Sequence, residues 1–240
     1  MSADRQRRVL LAAAATALSG CALPGGPGGR EAPAAAVRVG DRWRYQVIER
    51  YRDRLVETPI VEVVEAGPEI VLRVSGRGGS PAVEERYSAP WSVLQESVYG
   101  LTMRFGEPMP LVPLPAAPGA GSTRVTTYTV PGETPARRWS QQLRVEGWEP
   151  VTVPAGRFDS LRITRVIAFD HPDAGRRASV LTDRLWYAPE VRHWVRREWR
   201  GEYVSAGAGA GRDTAAQGTS GIEDWLEWRL AAFLPAPVSS

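Results

Sequence analysis

The sequence predicts an all-β protein: an antiparallel meander curved into a half-barrel or open sandwich, with little helix. Three observations carry this. Apolar residues recur at every second position in run after run, the mark of strands with one buried face. Breaks rich in Gly and Pro separate these runs. No stretch holds a 3.6-residue pattern long enough for a major helix. The clearest unit runs from Leu143 to Phe169. Leu143, Val145, Val151 and Val153 fall on odd positions before Pro154-Ala155-Gly156, and Leu161, Ile163, Ile167 and Phe169 do so after it. Proline presets φ and glycine tolerates the turn, so the segment reads as strand, tight turn, strand.

The remaining elements follow in order. Trp43, Tyr45 and Val47 alternate with Arg42, Arg44 and Gln46, a half-buried strand. Residues 55–65 are rich in Val and Ile, Gly67-Pro68 turns the chain, and residues 69–75 form a short strand. Residues 83–105 fit two patterns: Trp91, Leu94, Val98 and Leu101 have helical spacing, whereas Tyr87, Val93, Tyr99 and Phe105 suit extended pieces, which we favour. Pro108, Pro110, Pro113, Pro115 and Pro118 exclude helix and central strand. The Met and Leu between them suggest an extended segment laid across the core. Residues 124–130 and 139–148 are strands, 170–175 a loop, and 179–188 with 191–204 a hairpin about Pro189-Glu190. Residues 205–221 are Gly, Ala, Ser and Thr without periodicity, a mobile loop. Residues 222–234 close the fold as a strand. The β domain is thus 37–234, followed by a disordered tail at 235–240.

Composition removes several function classes. The chain has 240 residues and no Lys, so all 30 basic residues are Arg. Asn is absent as well, which points to a coding bias and not to selection for phosphate contacts. No basic block remains that could serve as a nucleic-acid footprint. Nine Trp supply much apolar area per residue.

The N-terminus predicts an address. Arg5, Arg7 and Arg8 precede a short apolar run, Val9 to Leu18. A membrane span needs roughly 20 apolar residues, so this run reads as a secretory signal, residues 1–20. Leu18-Ser19-Gly20-Cys21 follows directly. Here the sequence resembles bacterial lipoproteins, in which this motif marks cleavage before the Cys and its acylation. The resemblance implies a palmitate-type anchor on Cys21 and contact with membrane through it. Cys21 is the only Cys in the chain and can form no internal disulfide. One acyl chain binds a bilayer marginally, whereas two or more anchor stably. Within that family Asp after the Cys signals inner-membrane retention. Ala22 stands there instead, which implies the outer membrane, periplasmic face. Residues 21–36 read as the lipidated Cys and a flexible tether.

A second resemblance covers the later half. Val-Pro-Ala-Gly-x-Phe-x-x-Leu-Arg at 153–162, then Trp-Tyr-Ala-Pro-Glu at 186–190, is similar to a group of bacterial periplasmic β proteins. It implies a fold and supplies no catalytic residues. The architecture also resembles, distantly, the half-barrel carriers of lipoproteins.

The search for chemistry finds little. His193 shares the apolar side of its strand with Val191, Val195 and Trp199, as a core His with one partner or a ligand. His171 lies between Asp170 and Asp173, a solvated turn with too few oxygens for a hard cation. No Gly-x-Ser-x-Gly occurs, and Gly207 to Arg212 only imitates a phosphate loop. We assign no catalytic residue, cofactor or metal. Trp186, Trp194 and Trp225 fall among Arg and Glu on the otherwise charged strand faces. They form either an ordinary outer surface of stacked Arg stems and aromatics, or a binding face. The expected function is a non-enzymatic envelope module that binds a partner, an envelope protein, or a ligand. The alternatives are a carrier of a lipophilic ligand on the concave face and, behind it, an envelope hydrolase.

Overall fold

The computed structural model describes residues 29–33, 36–76, 81–88, 91–205 and 219–237. Period-2 burial governs almost all of them. The strands are β1 (Arg42–Glu49), β2 (Arg54–Glu57), β3 (Ile60–Ala66), β4 (Glu69–Ser75), β5 (Val83–Ser88), β6 (Ser92–Val98) and β7 (Leu101–Pro110). They continue as β8 (Gly121–Thr129), β9 (Arg137–Val153), β10 (Gly156–Phe169), β11 (Arg176–Ala188), β12 (His193–Ser205) and β13 (Ser220–Leu234). A single 3₁₀ turn, Pro189–Val191, links β11 to β12.

The half-barrel or open sandwich is corrected to a closed barrel of 12 strands. Each strand pairs antiparallel with its sequence neighbour, and β13 then pairs with β1 from Arg42↔Leu234 to Glu49↔Leu226. β2 is a side arm: it and β3 pair with successive parts of the same edge of β1, broken at Thr58-Pro59. Closure removes the exposed edges that an open meander would leave. Bulges supply the curvature, among them Ala231 on β13 opposite Arg44/Tyr45, Val64 on β3 and Glu146 on β9 opposite Arg162/Ile163.

The Pro154-Ala155 turn joins Val153 to Gly156, with Gly156 at φ 134°. The Ala155 N–H bonds Leu230 O at 3.0 Å, so the turn also docks on β13. Residues 83–105 are strands, not helix. The Pro-rich stretch extends β7 to Pro110 and then turns inward. Leu111 and Val112 are buried, with their N–H groups on Trp91 O.

Both domain ends reach further than the alternation implied. Within the expected tether, Ala32 is buried and bridges Ala116. The Arg30 guanidinium lies 4.1 Å over Trp148, whose Nε1 donates to Arg30 O. Within the expected tail, Ala236 is buried and its N–H bonds Asp41 Oδ1 at 2.9 Å. Residues 1–28, including Cys21, and 206–218 of the expected mobile loop lie outside the described residues.

The interior is filled by large side chains: Trp43, Tyr45, Tyr87, Trp91, Tyr128 and Trp139 are all fully buried. Aromatic clusters sit at the two ends. Trp43 stacks on His193 at 4.4 Å at the end holding Arg30 and the Pro154-Ala155 turn. Trp139 packs on Phe105 and Phe169 at the other end, at 4.9 and 5.4 Å.

Candidate functional site

Three neighbouring strands each place one charge on an otherwise apolar inward stripe. β10 carries Arg165 between Ile163 and Ile167. β11 carries Asp183 between Leu181 and Leu185. β12 carries Arg197 between Val195 and Trp199. Register sets Arg165 opposite Asp183, with Arg197 one pleat away. Arg165 Nε donates to Asp183 Oδ2 at 3.0 Å, and its Nη1 to Gln141 Oε1 at 3.2 Å. Arg197 Nε donates to Asp183 Oδ1 at 3.0 Å and its Nη2 to Oδ2 at 2.9 Å. Glu96 of β6 faces both guanidiniums, 3.7 Å from Arg165 and 3.4 Å from Arg197.

These side chains are sealed from solvent, Asp183 at 0% exposure and Arg165 at 1%. Burial alone would raise the Asp183 carboxyl, yet the Arg197 and Arg165 charges hold it below its usual value. Desolvation likewise opposes charge on Arg197, and Asp183 and Glu96 outweigh it and push its pKa up. The two guanidiniums and two carboxylates compensate one another in a dry lumen, and Asp183 is fully engaged by its partners. The signal for this cluster lay in the sequence: three charges interrupting three apolar stripes on consecutive strands.

Beside it lies a void of about 10 Å³ lined by Val61, Val74, Glu85, Trp194, Arg197, Trp199 and Trp228. That is room for about one water. A lipophilic ligand needs a pocket of some 300 Å³ or more. Among the described residues the concave face is lined by the chain's own large side chains.

His193 is buried in the core, its Nδ1 2.6 Å from Tyr45 Oη, which donates to Trp194 O at 2.7 Å. Burial, with Arg197 adding to it, holds the ring's pKa well below 6.5. His171 caps a local turn, its Nδ1 accepting the Asp173 N–H at 2.9 Å. Burial and then Arg176 lower its pKa. No group of three or more His, Cys, Asp or Glu stands in a metal-holding arrangement among the described residues.

The three Trp do not share a face. A bulge follows Trp186, so that Trp186 pairs with Arg196 but Tyr187 pairs with Trp194. The extra residue turns Trp194 inward, where it lies against His193 and Trp91. Trp186 and Trp225 stay on the outer wall, inside a ladder of charges. Trp186 Nε1 donates to Glu149, and Arg196 covers its ring at 4.5 Å. Trp225 Nε1 donates to Glu198 at 2.7 Å, and Tyr51 meets its ring edge-on.

Among the described residues the β7–β8 seam of the wall is incomplete. β7 and β8 pair only at Arg104↔Thr129 and Phe105↔Tyr128. β8 pairs with β9 along its whole length, from Gly121↔Arg144 to Tyr128↔Arg137. Gly106 still lies against Thr127, and residues 121–126 have a partner strand on one side alone among the described residues. Pro110, which pairs with Ser92 of β6 but not with β8, passes on the lumen side of this strand, where its carbonyl accepts Gln141 Nε2. An open depression of about 570 Å³ adjoins the edge, lined by Gly121, Thr123, Gln142, Arg144, Glu146 and Thr164 among others.

No protein-family model matches the chain, and no curated protein matches it. Solved structures do. A protein of Parabacteroides distasonis, provisionally designated a lipoprotein, aligns with TM-score 0.52 at 12% identity, over 84% of this chain and 99% of its own. An exported protein of Bacteroides fragilis with a YmcC-like fold aligns with TM-score 0.42 at 13% identity, over 85% and 99%. The first shares the fold of this chain.

Proposed function

We propose that the protein is a lipid-anchored envelope protein, held at the periplasmic face of the outer membrane, whose barrel is a non-enzymatic binding module. One observation carries this reading: Leu18-Ser19-Gly20-Cys21 follows an Arg-bearing segment and a short apolar run, and contains the only Cys of the chain. The designation of the Parabacteroides protein as a lipoprotein is in keeping with it. So is the geometry. Arg30 docks at the barrel end that carries the Pro154-Ala155 turn, so eight residues lie between Cys21 and Arg30. They reach at most about 30 Å, enough to hold that end near a bilayer. Ala22 in place of Asp favours the outer membrane. The non-enzymatic part rests on the lumen, whose acids and bases are paired and sealed from substrate.

The test is metabolic labelling with palmitate. Wild-type protein takes up label and fractionates with outer membranes, and Cys21→Ser abolishes both. An unlabelled wild-type protein overturns the reading.

A further inference from the structure

We propose that the free edge of β8 docks an extended segment of a different envelope protein, added to the wall as one further strand with a carboxylate facing Arg124. The Val145 N–H bonds Ala120 O at 2.8 Å, and the antiparallel register runs on from Gly121↔Arg144. Amides in such a ladder alternate sides, so Arg124 and Thr126 turn theirs to β9 while Thr123 and Val125 turn theirs to the empty side. Exposed strand edges are templates for a further strand, and proteins usually protect them by shortness or charge. The other edge of the sheet, β2, has both protections: four residues, with Arg54 and Glu57 at its ends. β8 has neither. Its free stretch carries Thr123, Val125 and Thr126, β-branched residues suited to cross-strand pairing. Its only charge, Arg124, is exposed and makes no ion pair among the described residues. Main-chain bonds would supply affinity, and Val125 and Arg124 selectivity.

The choice of a different protein over a second copy rests on the anchored reading above. Antiparallel pairing of two β8 edges inverts one barrel against the other. Strands the length of β9 and β10, tilted by about 40°, give a wall about 35–40 Å tall. The inverted copy would hold its Arg30 at least that far from the bilayer, beyond the roughly 30 Å reach of its tether.

The test places p-benzoylphenylalanine at Thr123 in the full-length protein in cells, with and without Val125→Pro, and identifies the crosslinked peptides by mass spectrometry. Proline removes the outward N–H and leaves the β9 ladder intact. The expected result is a crosslink to one continuous segment of another protein that contains Asp or Glu. Val125→Pro lowers it at least tenfold at unchanged melting temperature, and the same label at Val166 gives none. A crosslink to a second copy, a crosslink indifferent to proline, or no crosslink overturns the proposal. Palmitate labelling is scored on the same cells, so a lost anchor and a lost docking edge are read separately.

Discussion

Two seams of the barrel, β1–β13 and β7–β8, differ in what holds them. At β1–β13 the strands pair over their full overlap, and a buried carboxylate locks the junction. Asp41 accepts Arg192 Nη1 at 3.0 and 2.8 Å, the Arg38 N–H at 2.9 Å and the Ala236 N–H at 2.9 Å. It thereby joins the N-terminal segment, the β11–β12 turn and the C-terminus. Arg192 adopts φ 59° to reach it, a left-handed conformation uncommon outside glycine. At β7–β8 no side chain plays such a part, and two residue pairs carry the contact. Closure of a long meander depends on joining the chain's ends, where loop entropy is most costly. A local gap between consecutive strands is tolerated, because the neighbouring hairpins already hold both of them.

Substitutions sharpen this contrast in order of expected effect. Asp183→Ala attacks what both seams share, the lumen, by leaving two buried guanidiniums undercompensated. It costs about 3–5 kcal/mol in urea unfolding. A loss below about 1 kcal/mol would show that the cluster is not sealed. Asp41→Ala breaks the closed seam at about 2–4 kcal/mol, since it removes hydrogen bonds to a buried charge. Equal tolerance of Asp41→Ala and of changes on β8 would erase the distinction between the seams. His193 gives a pH signature at the closed end. Its folded pKa lies below 6.5, so the unfolded chain takes up the proton first. The stability it contributes is present above pH 6.5 and is lost progressively as pH falls below it, so unfolding free energy declines between pH 8 and pH 5. His193→Gln flattens that slope; an unchanged slope assigns it to other groups. The smallest effect is at the open seam. Val125→Pro shifts stability by no more than about 0.5 kcal/mol. Arg124→Pro, one residue away, costs about 1–3 kcal/mol because its N–H serves β9.

Much of the wall was legible in the sequence, because period-2 alternation reports directly which face of a strand is buried. It located the turn at Pro154-Ala155, the β11–β12 hairpin and the inward Pro-rich segment. Closure was not legible: Trp43 and Leu230 alternate the same way in an open sheet as in a barrel. Trp194 was assigned to the wrong face because a one-residue bulge at Val195 turns it inward beside His193. The lumen charges were visible as interruptions at Arg165, Asp183 and Arg197, but only the register shows that they meet. The free edge of β8 left no trace in composition, since Thr and Val suit a paired strand as well as an unpaired one.

Residue-resolved hydrogen exchange on the folded barrel tests the contrast most directly. The account predicts slow exchange at Gln46 and Ile48, whose N–H groups, like that of Arg50, face β13 in the closed seam. Along β8 it predicts an alternation, with Arg124 and Thr126 protected and Thr123 and Val125 exchanging at rates near those of an open chain. Protection of Thr123 and Val125 equal to that of Arg124 and Thr126 would mean that the β7–β8 seam is closed, and would contradict the account.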